Sequence, residues 1–318
     1  MRKYKSVDSV YIPDNDPVTV KFCGNVIEIK YASHRNSEAH IKKLDKDCYI
    51  KLSENTGEVY EFKHGENRLN DTISVKRSLE ELRDYINTNV INTVNCKWLT
   101  LTYAENMTEP KRLKDDFKEF NRLCRNQYGH YEYITAAEPQ QRGAWHLHVI
   151  LIFDKPAPYM RNSEVCALWG QGFVNVRKLN EVDNIGMYLT AYLADLPLDE
   201  AIQNTKNILA LKVENVKMVE SVNKNGKMET KAYIKGERMK MYPRGFHIHR
   251  ESRGIKKPEK IKMKNSEAAK IVKDYNKIYE KSVEITDEDN SFTVVTNKRV
   301  YNKNPHAKKF LKGGADDE

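Results

Sequence analysis

An α+β fold is expected for this chain of 318 residues, and three features predict it. Between residues 96 and 195, runs with period-two alternation and runs with helical spacing follow one another in the order βαββαβα. Two of the strands are joined by a short turn, which requires them to be antiparallel. Hydrophobic residues make up 39% and charged residues 31%, enough core formers to exclude disorder throughout. The element order matches a split-βαβ sandwich of the RRM or ferredoxin-like kind around a central antiparallel sheet.

The elements are read in chain order. Val18–Phe22 and Val26–Tyr31 alternate at period two around Gly24-Asn25, a hairpin signal, and a third β-like run covers Gly57–Phe62. Residues 1–73 are therefore expected to form a small β-rich accessory region. Val75, Leu79, Leu82, Tyr85 and Ile86 share one helical stripe and lead into a domain at 74–200. In that domain Lys97–Tyr103 reads as a strand. Pro110 suits the first turn of a helix through Cys124, with Leu113, Phe117, Phe120 and Leu123 on one side. Tyr131–Glu138 and Ala144–Phe153 form a hairpin around Pro139–Gly143. A capped helix follows at Asn162–Gly170, then a strand at Phe173–Arg177 and a helix from about Asp183 to Asp195. Residues 201–312 read as a basic accessory region. It contains a hairpin around Asn225-Gly226, an amphipathic helix at 265–282 and a strand at Phe292–Val295. The tail at 313–318 is expected to be disordered.

Charge is distributed unevenly. Residues 205–281 carry 21 Lys and Arg against nine Asp and Glu, while the remainder is slightly acidic. A basic sector on a balanced protein suits a polyanion such as nucleic acid, although a solvated lysine-rich surface would look the same. No apolar run is long enough to cross a bilayer, so no membrane partner is expected. The five cysteines are scattered and form no C-x-x-C, which fits a reducing cytoplasm.

Two patterns can carry chemistry. His146 and His148 lie one residue apart on a strand, so both imidazoles point to one face, and Glu138 ends the preceding strand of the hairpin. Two imidazoles and a carboxylate with open positions suit Mn²⁺ or Mg²⁺ better than structural zinc. A lone H-x-H is more often a pair of polar residues at a sheet edge. The second one, His247-Ile248-His249, has no apolar strand behind it and no acidic residue across a short turn, and reads as part of the basic sector. Tyr188 and Tyr192, four apart on a helix, project from one face. Such a pair is ordinarily packing, but beside a metal site either phenol could attack phosphorus.

Three elements in this order resemble the rolling-circle replication initiators of the HUH endonuclease superfamily, of the Gram-positive plasmid and phage type. They are Trp98-Leu99-Thr100-Leu101-Thr102-Tyr103, His146-Leu147-His148 with Glu138 upstream, and Tyr188-Leu189-Thr190-Ala191-Tyr192. The likeness covers about residues 74–200, and Tyr242–Ile255 more loosely. It implies nicking of single-stranded or hairpin origin DNA through a tyrosine, leaving a 5′-phosphotyrosine and a free 3′-OH, with later religation. Tyr188 and Tyr192 would be catalytic, with Tyr188 first, and Glu138, His146 and His148 would hold Mn²⁺ or Mg²⁺. Thr100, Thr102, Tyr103, Arg142, Trp145, Arg244, Arg250 and Arg253 would contact DNA. Relatives often carry lysine three residues after each tyrosine; here Ala191 and Asp195 stand there. No G-x-x-x-x-G-K-[ST] occurs, so a host helicase and polymerase are expected partners. Two rivals remain: a relaxase with the same chemistry, and a non-catalytic RRM-like module stacking bases on Trp98, Tyr103 and Trp145.

Overall fold

Five strands that are far apart in sequence build the sheet that carries the histidines. In the computed structural model the elements of this unit run α1 (Thr72–Asn89), β1 (Cys96–Tyr103), α2 (Pro110–Tyr128), β2 (Glu132–Pro139), β3 (Trp145–Ile152), α3 (Asn162–Trp169), β4 (Gly172–Lys178) and β5 (His249–Glu251). The structure describes residues 3–7, 10–34, 39–43, 48–53, 59–63, 72–140, 142–179, 189, 193–198, 216–222, 228–234, 236–243, 245–286 and 293–304. The sheet order is β4-β1-β3-β2-β5 and every pairing is antiparallel. The protein is thus an α+β protein with antiparallel sheets.

Period-two alternation separates the two faces of this sheet. Leu99, Leu101 and Val149 are fully buried on one face, in register as Leu99–Val149 and Leu101–Leu147. Helices α2 and α3 cover that side. Phe120 and Tyr103 both meet Trp169 edge-on, at 5.9 and 5.2 Å between ring centres. Each such aromatic pair contributes about 0.5–1.5 kcal/mol beyond the area it buries. Proline at the first turn starts α2 with no donor lost, and Gly170 in the left-handed region ends α3. The opposite face carries Trp98, Thr100, Thr102, His146 and His148. Helix α1 lies on it, where Tyr85 meets His249 edge-on at 5.9 Å.

A second unit is formed by the two ends of the chain, Met1–Glu66 with Pro258–Glu318; the first spans Asn67–Lys257. The Pro17–Cys23 and Val26–Ala32 hairpin forms as expected, with Gly24 at positive φ. It joins Glu259–Lys264 on one side and Thr293–Asn302 on the other; Asn276–Thr286 and Lys3–Val7 complete six strands. This differs from an accessory region ending at 73 and a separate one at 201–312. Pairing across more than 230 positions leaves no local trace in the sequence. The helix expected over 265–282 is also corrected: only Asn265–Ile271 is helical, and Asn276–Thr286 is a strand. Its apolar residues at 272, 275 and 278 are spaced as on a helix, but pairing with a ten-residue partner strand makes the segment from 276 a strand. The hairpin around Asn225-Gly226 has its strands at Val216–Val222 and Met228–Ile234; the turn lies outside the described residues. So do the tail and most of the helix expected from Asp183, of which Leu189, Leu193 and Ala194 are helical.

Candidate active site

Register brings the predicted ligands together. Glu138 stands directly opposite His146, and Thr102 stands opposite His146 on its other side. One step along, Thr100 and Ala136 flank His148. Opposed residues in an antiparallel sheet share a face, so the carboxylate, both imidazoles and both threonines form one polar patch.

Glu138 is 6% exposed and uses both carboxylate oxygens. Oε2 lies 2.6 Å from His148 Nε2, and Oε1 lies 2.7 Å from the Arg238 guanidinium. Burial alone would push this carboxyl up; the hydrogen bond from His148 and the charge of Arg238 override it and hold it below the ordinary carboxylate range. Thr100 Oγ1 is 3.4 Å from His148 Nδ1. Burial pushes the His146 imidazole down to about 4, against the pull of Glu138, so it is neutral near pH 7. Its Nε2 is buried with no hydrogen-bond partner.

These residues fit a divalent cation in donor type. Glu138 is anionic, His146 is neutral, and its orphaned Nε2 lacks a partner that a cation would supply. As placed, no group of three His, Cys, Asp or Glu side chains among the described residues is arranged around a common metal position. Glu138 and His148 instead hydrogen-bond each other, and a cation there would replace the proton between them, as metal binding commonly does.

Arg238 was not singled out by sequence, where it is one of 21 basic residues in its sector. It is 3% exposed on a 3-10 turn at Glu237–Met241. Besides Glu138, it donates to the carbonyls of Pro139 at 3.0 Å and Asp195 at 3.1 Å. Gly236 N–H donates to Asp195 Oδ1 at 3.0 Å. Tyr242 donates to Ala137 O at 2.8 Å and lies 3.3 Å from Leu193 O. The 236–242 segment thus clasps the end of the tyrosine-bearing stretch, Leu193 and Asp195, to the strand carrying Glu138. A basic residue set among methionines, Met239 and Met241, was the only available signal.

The other predicted residues divide. Tyr188, Tyr192 and Arg244 lie outside the described residues. Arg142, Arg250 and Arg253 are exposed, and Arg142 reaches Gln140 Oε1 at 3.2 Å. Tyr103 and Trp145 are corrected to core positions, 1% and 2% exposed. Tyr103 donates to Asp116 at 2.9 Å; Trp145 stacks on Phe246 at 4.5 Å and donates to Thr108 O at 3.1 Å. Both rings are satisfied internally and present no face to a base. His249 is also corrected: it is the first residue of β5, opposite Ala136, with Nδ1 3.5 Å from Glu251. The strand that its own sequence does not announce is provided by pairing with β2.

Fold and site together define an α+β protein with a histidine–carboxylate patch on an antiparallel sheet. Residues 96–196 match the model of a replication-associated protein family, that of ORF2. That match runs from β1 through the histidines to both tyrosine positions and supports a Rep-like replication initiator. No curated protein and no solved structure matches the chain. No helix among the described residues is long and apolar enough to cross a membrane.

Proposed function

We propose that the protein is a rolling-circle replication initiator of the HUH type, nicking one strand of origin DNA through a tyrosine. The observation that carries this reading is the Glu138, His146 and His148 patch on one sheet face, inside the segment matching the replication-associated family. The strand order β4-β1-β3-β2, with helices after β1 and β3, is compatible with a split-βαβ sheet and supports the reading.

In this mechanism the phenolic oxygen of Tyr188 gives its proton to solvent and forms the new bond to phosphorus. The 3′ oxygen leaves with the bonding pair and takes up a proton, giving a 3′-OH primer and a 5′-phosphotyrosine. Tyr192 attacks in the second event, and reversal by the 3′-OH religates the strand. Glu138, His146 and His148 would hold Mn²⁺ or Mg²⁺, which when bound supplies Lewis-acid polarisation of the scissile phosphate. Arg238 keeps Glu138 ionised and oriented, and Thr100 fixes the His148 ring. Arg142, exposed beside the hairpin turn, would meet the DNA backbone, and a host helicase and polymerase would extend the primer. The non-catalytic binding module loses ground, because two of its three stacking rings, Tyr103 and Trp145, are buried.

The test is cleavage of end-labelled single-stranded origin DNA with Mn²⁺ or Mg²⁺. Wild-type protein should nick at one position and His146→Ala should not, by a factor of about 10² or more. Equal nicking by His146→Ala, or nicking undiminished by chelator, would refute the reading.

A further inference from the structure

We infer that the outer face of β4, formed by Phe173, Asn175 and Arg177, is a platform for the single-stranded DNA that flanks the scissile phosphate. The inference rests on the proposed function for its substrate, and its evidence lies in the register of the sheet. Phe173 stands opposite Thr102, which stands opposite His146 and then Glu138. Asn175 continues the row of Thr100 and His148, and Arg177 continues the row of Trp98. The three side chains therefore extend the plane of the catalytic patch to the edge of the sheet.

Packing does not account for this face. Val174 and Val176 supply the strand's apolar side and pack into the main core. Phe173 is 69% exposed, and Asn175 and Arg177 are exposed beside it. The backbone next to the phenyl is also held in place. Gly172 approaches the backbone of β1 so closely that a Cβ would lie 2.4 Å from Ala104 N and 2.5 Å from Thr102 O. Cys166 Sγ–H donates to Gly172 O at 2.9 Å, and Trp169 Nε1 donates to Thr102 O at 3.1 Å. An exposed ring on a fixed backbone at the edge of a polar sheet is a stacking surface.

The spacing and chemistry select the partner. Phe173 and His146 are two inter-strand spacings apart, with only β1 between them, about 10 Å, so a nucleotide next to the scissile phosphate can reach it. Residues 173, 175 and 177 rise along the strand in steps of about 6.6 Å. An aromatic face for a base, an amide for a base edge and a guanidinium for phosphate follow one another in that order. Every base has a π-face, but in duplex DNA those faces are already stacked, so single-stranded DNA is favoured. A second copy pairing along the β4 edge is disfavoured because Val176 N–H is already bonded to Asn162 Oδ1 at 2.7 Å.

The experiment measures binding of the full-length protein to fluorescein-labelled oligothymidylate of about 20 nucleotides, in EDTA so that no cleavage occurs. Phe173→Ala should weaken binding about 10-fold or more, and Arg177→Gln should weaken it and reduce the salt dependence by about one phosphate contact. Phe173→Trp should bind like wild type, with its added indole fluorescence quenched by the oligonucleotide. Thermal melts of the variants should match wild type, because the side chains are exposed. Unchanged affinity of Phe173→Ala would overturn the inference, and so would a self-association removed by Phe173→Ala with DNA affinity intact. The two proposals fail separately: wild type that nicks while Phe173→Ala binds normally sinks only the platform. Wild type that fails to nick while Phe173→Ala loses binding sinks only the nuclease.

Discussion

Replacing Arg238 by Gln removes the guanidinium in contact with a carboxylate that is 6% exposed. Three contacts go at once: the charged pair with Glu138 at 2.7 Å and hydrogen bonds to two carbonyls, Pro139 and Asp195. All three are made by a cation, and a hydrogen bond of an ionised group contributes about 1.5–3 kcal/mol. The low end of their sum meets the loss of about 3–5 kcal/mol found when one partner of a buried pair is deleted. Urea denaturation of the full chain at pH 7 should show that loss in the unit spanning Asn67–Lys257. The sign with pH follows from Glu138, whose folded pKa is depressed. Its contribution is fully present above the unfolded value of about 4.3 and disappears as pH falls through the folded one. Without Arg238 the folded pKa rises, so the deficit against wild type should be largest above about pH 5 and shrink toward acid. Combining Arg238→Gln with Glu138→Gln should then cost less than the two changes added together. A loss below about 1 kcal/mol, or a deficit that does not vary with pH, would refute the assignment of Arg238 as the clasp of this site.

Other expectations are more local. Gly172→Ala forces a Cβ against two backbone atoms of β1 and should lower stability by about 2–3 kcal/mol, read as a lowered melting temperature. In the other unit, Glu28 is 4% exposed and bonds Lys21 and Lys298 at 2.8 Å and Lys30 at 3.1 Å. Burial would raise its pKa, but Lys298, Lys21 and Lys30 together depress it. The stability it supplies is therefore present above about pH 4.3 and lost as pH falls. Glu28→Gln should destabilise that unit by about 3–5 kcal/mol at pH 7 and flatten its acid dependence, measured by denaturation at a series of pH values.

Much of the first unit was legible in local pattern. The alternation at Lys97–Tyr103, the Pro110 start and the turn at 139–143 each set one element, and together they imply which residues share a face. His146, His148 and Glu138 were legible for the same reason: their relation depends only on period two and one short hairpin. What escaped depends on distant partners. Arg238 reaches Glu138 across 100 positions, and β5 reaches β2 across more than 110, with nothing in the intervening sequence to announce either. The aromatics were misassigned in a different way. Tyr103 and Trp145 sit beside the motif residues in sequence, yet successive positions on a strand face opposite sides, and Tyr103 falls on the core face with Leu101. Phe173 was passed over because an aromatic in a strand is ordinarily core; only its exposure separates it from Val174 and Val176.

The central claim is that a tyrosine of this chain becomes joined to DNA. Incubating the protein with Mn²⁺ and single-stranded origin DNA, denaturing in SDS, digesting with nuclease and protease and sequencing the modified peptide by mass spectrometry tests it directly. A nucleotide-bearing phosphotyrosine at Tyr188 or Tyr192, absent from the Tyr188→Phe/Tyr192→Phe double variant, is the predicted result. Nicked DNA without any protein adduct, or an adduct that survives in that variant, would contradict it.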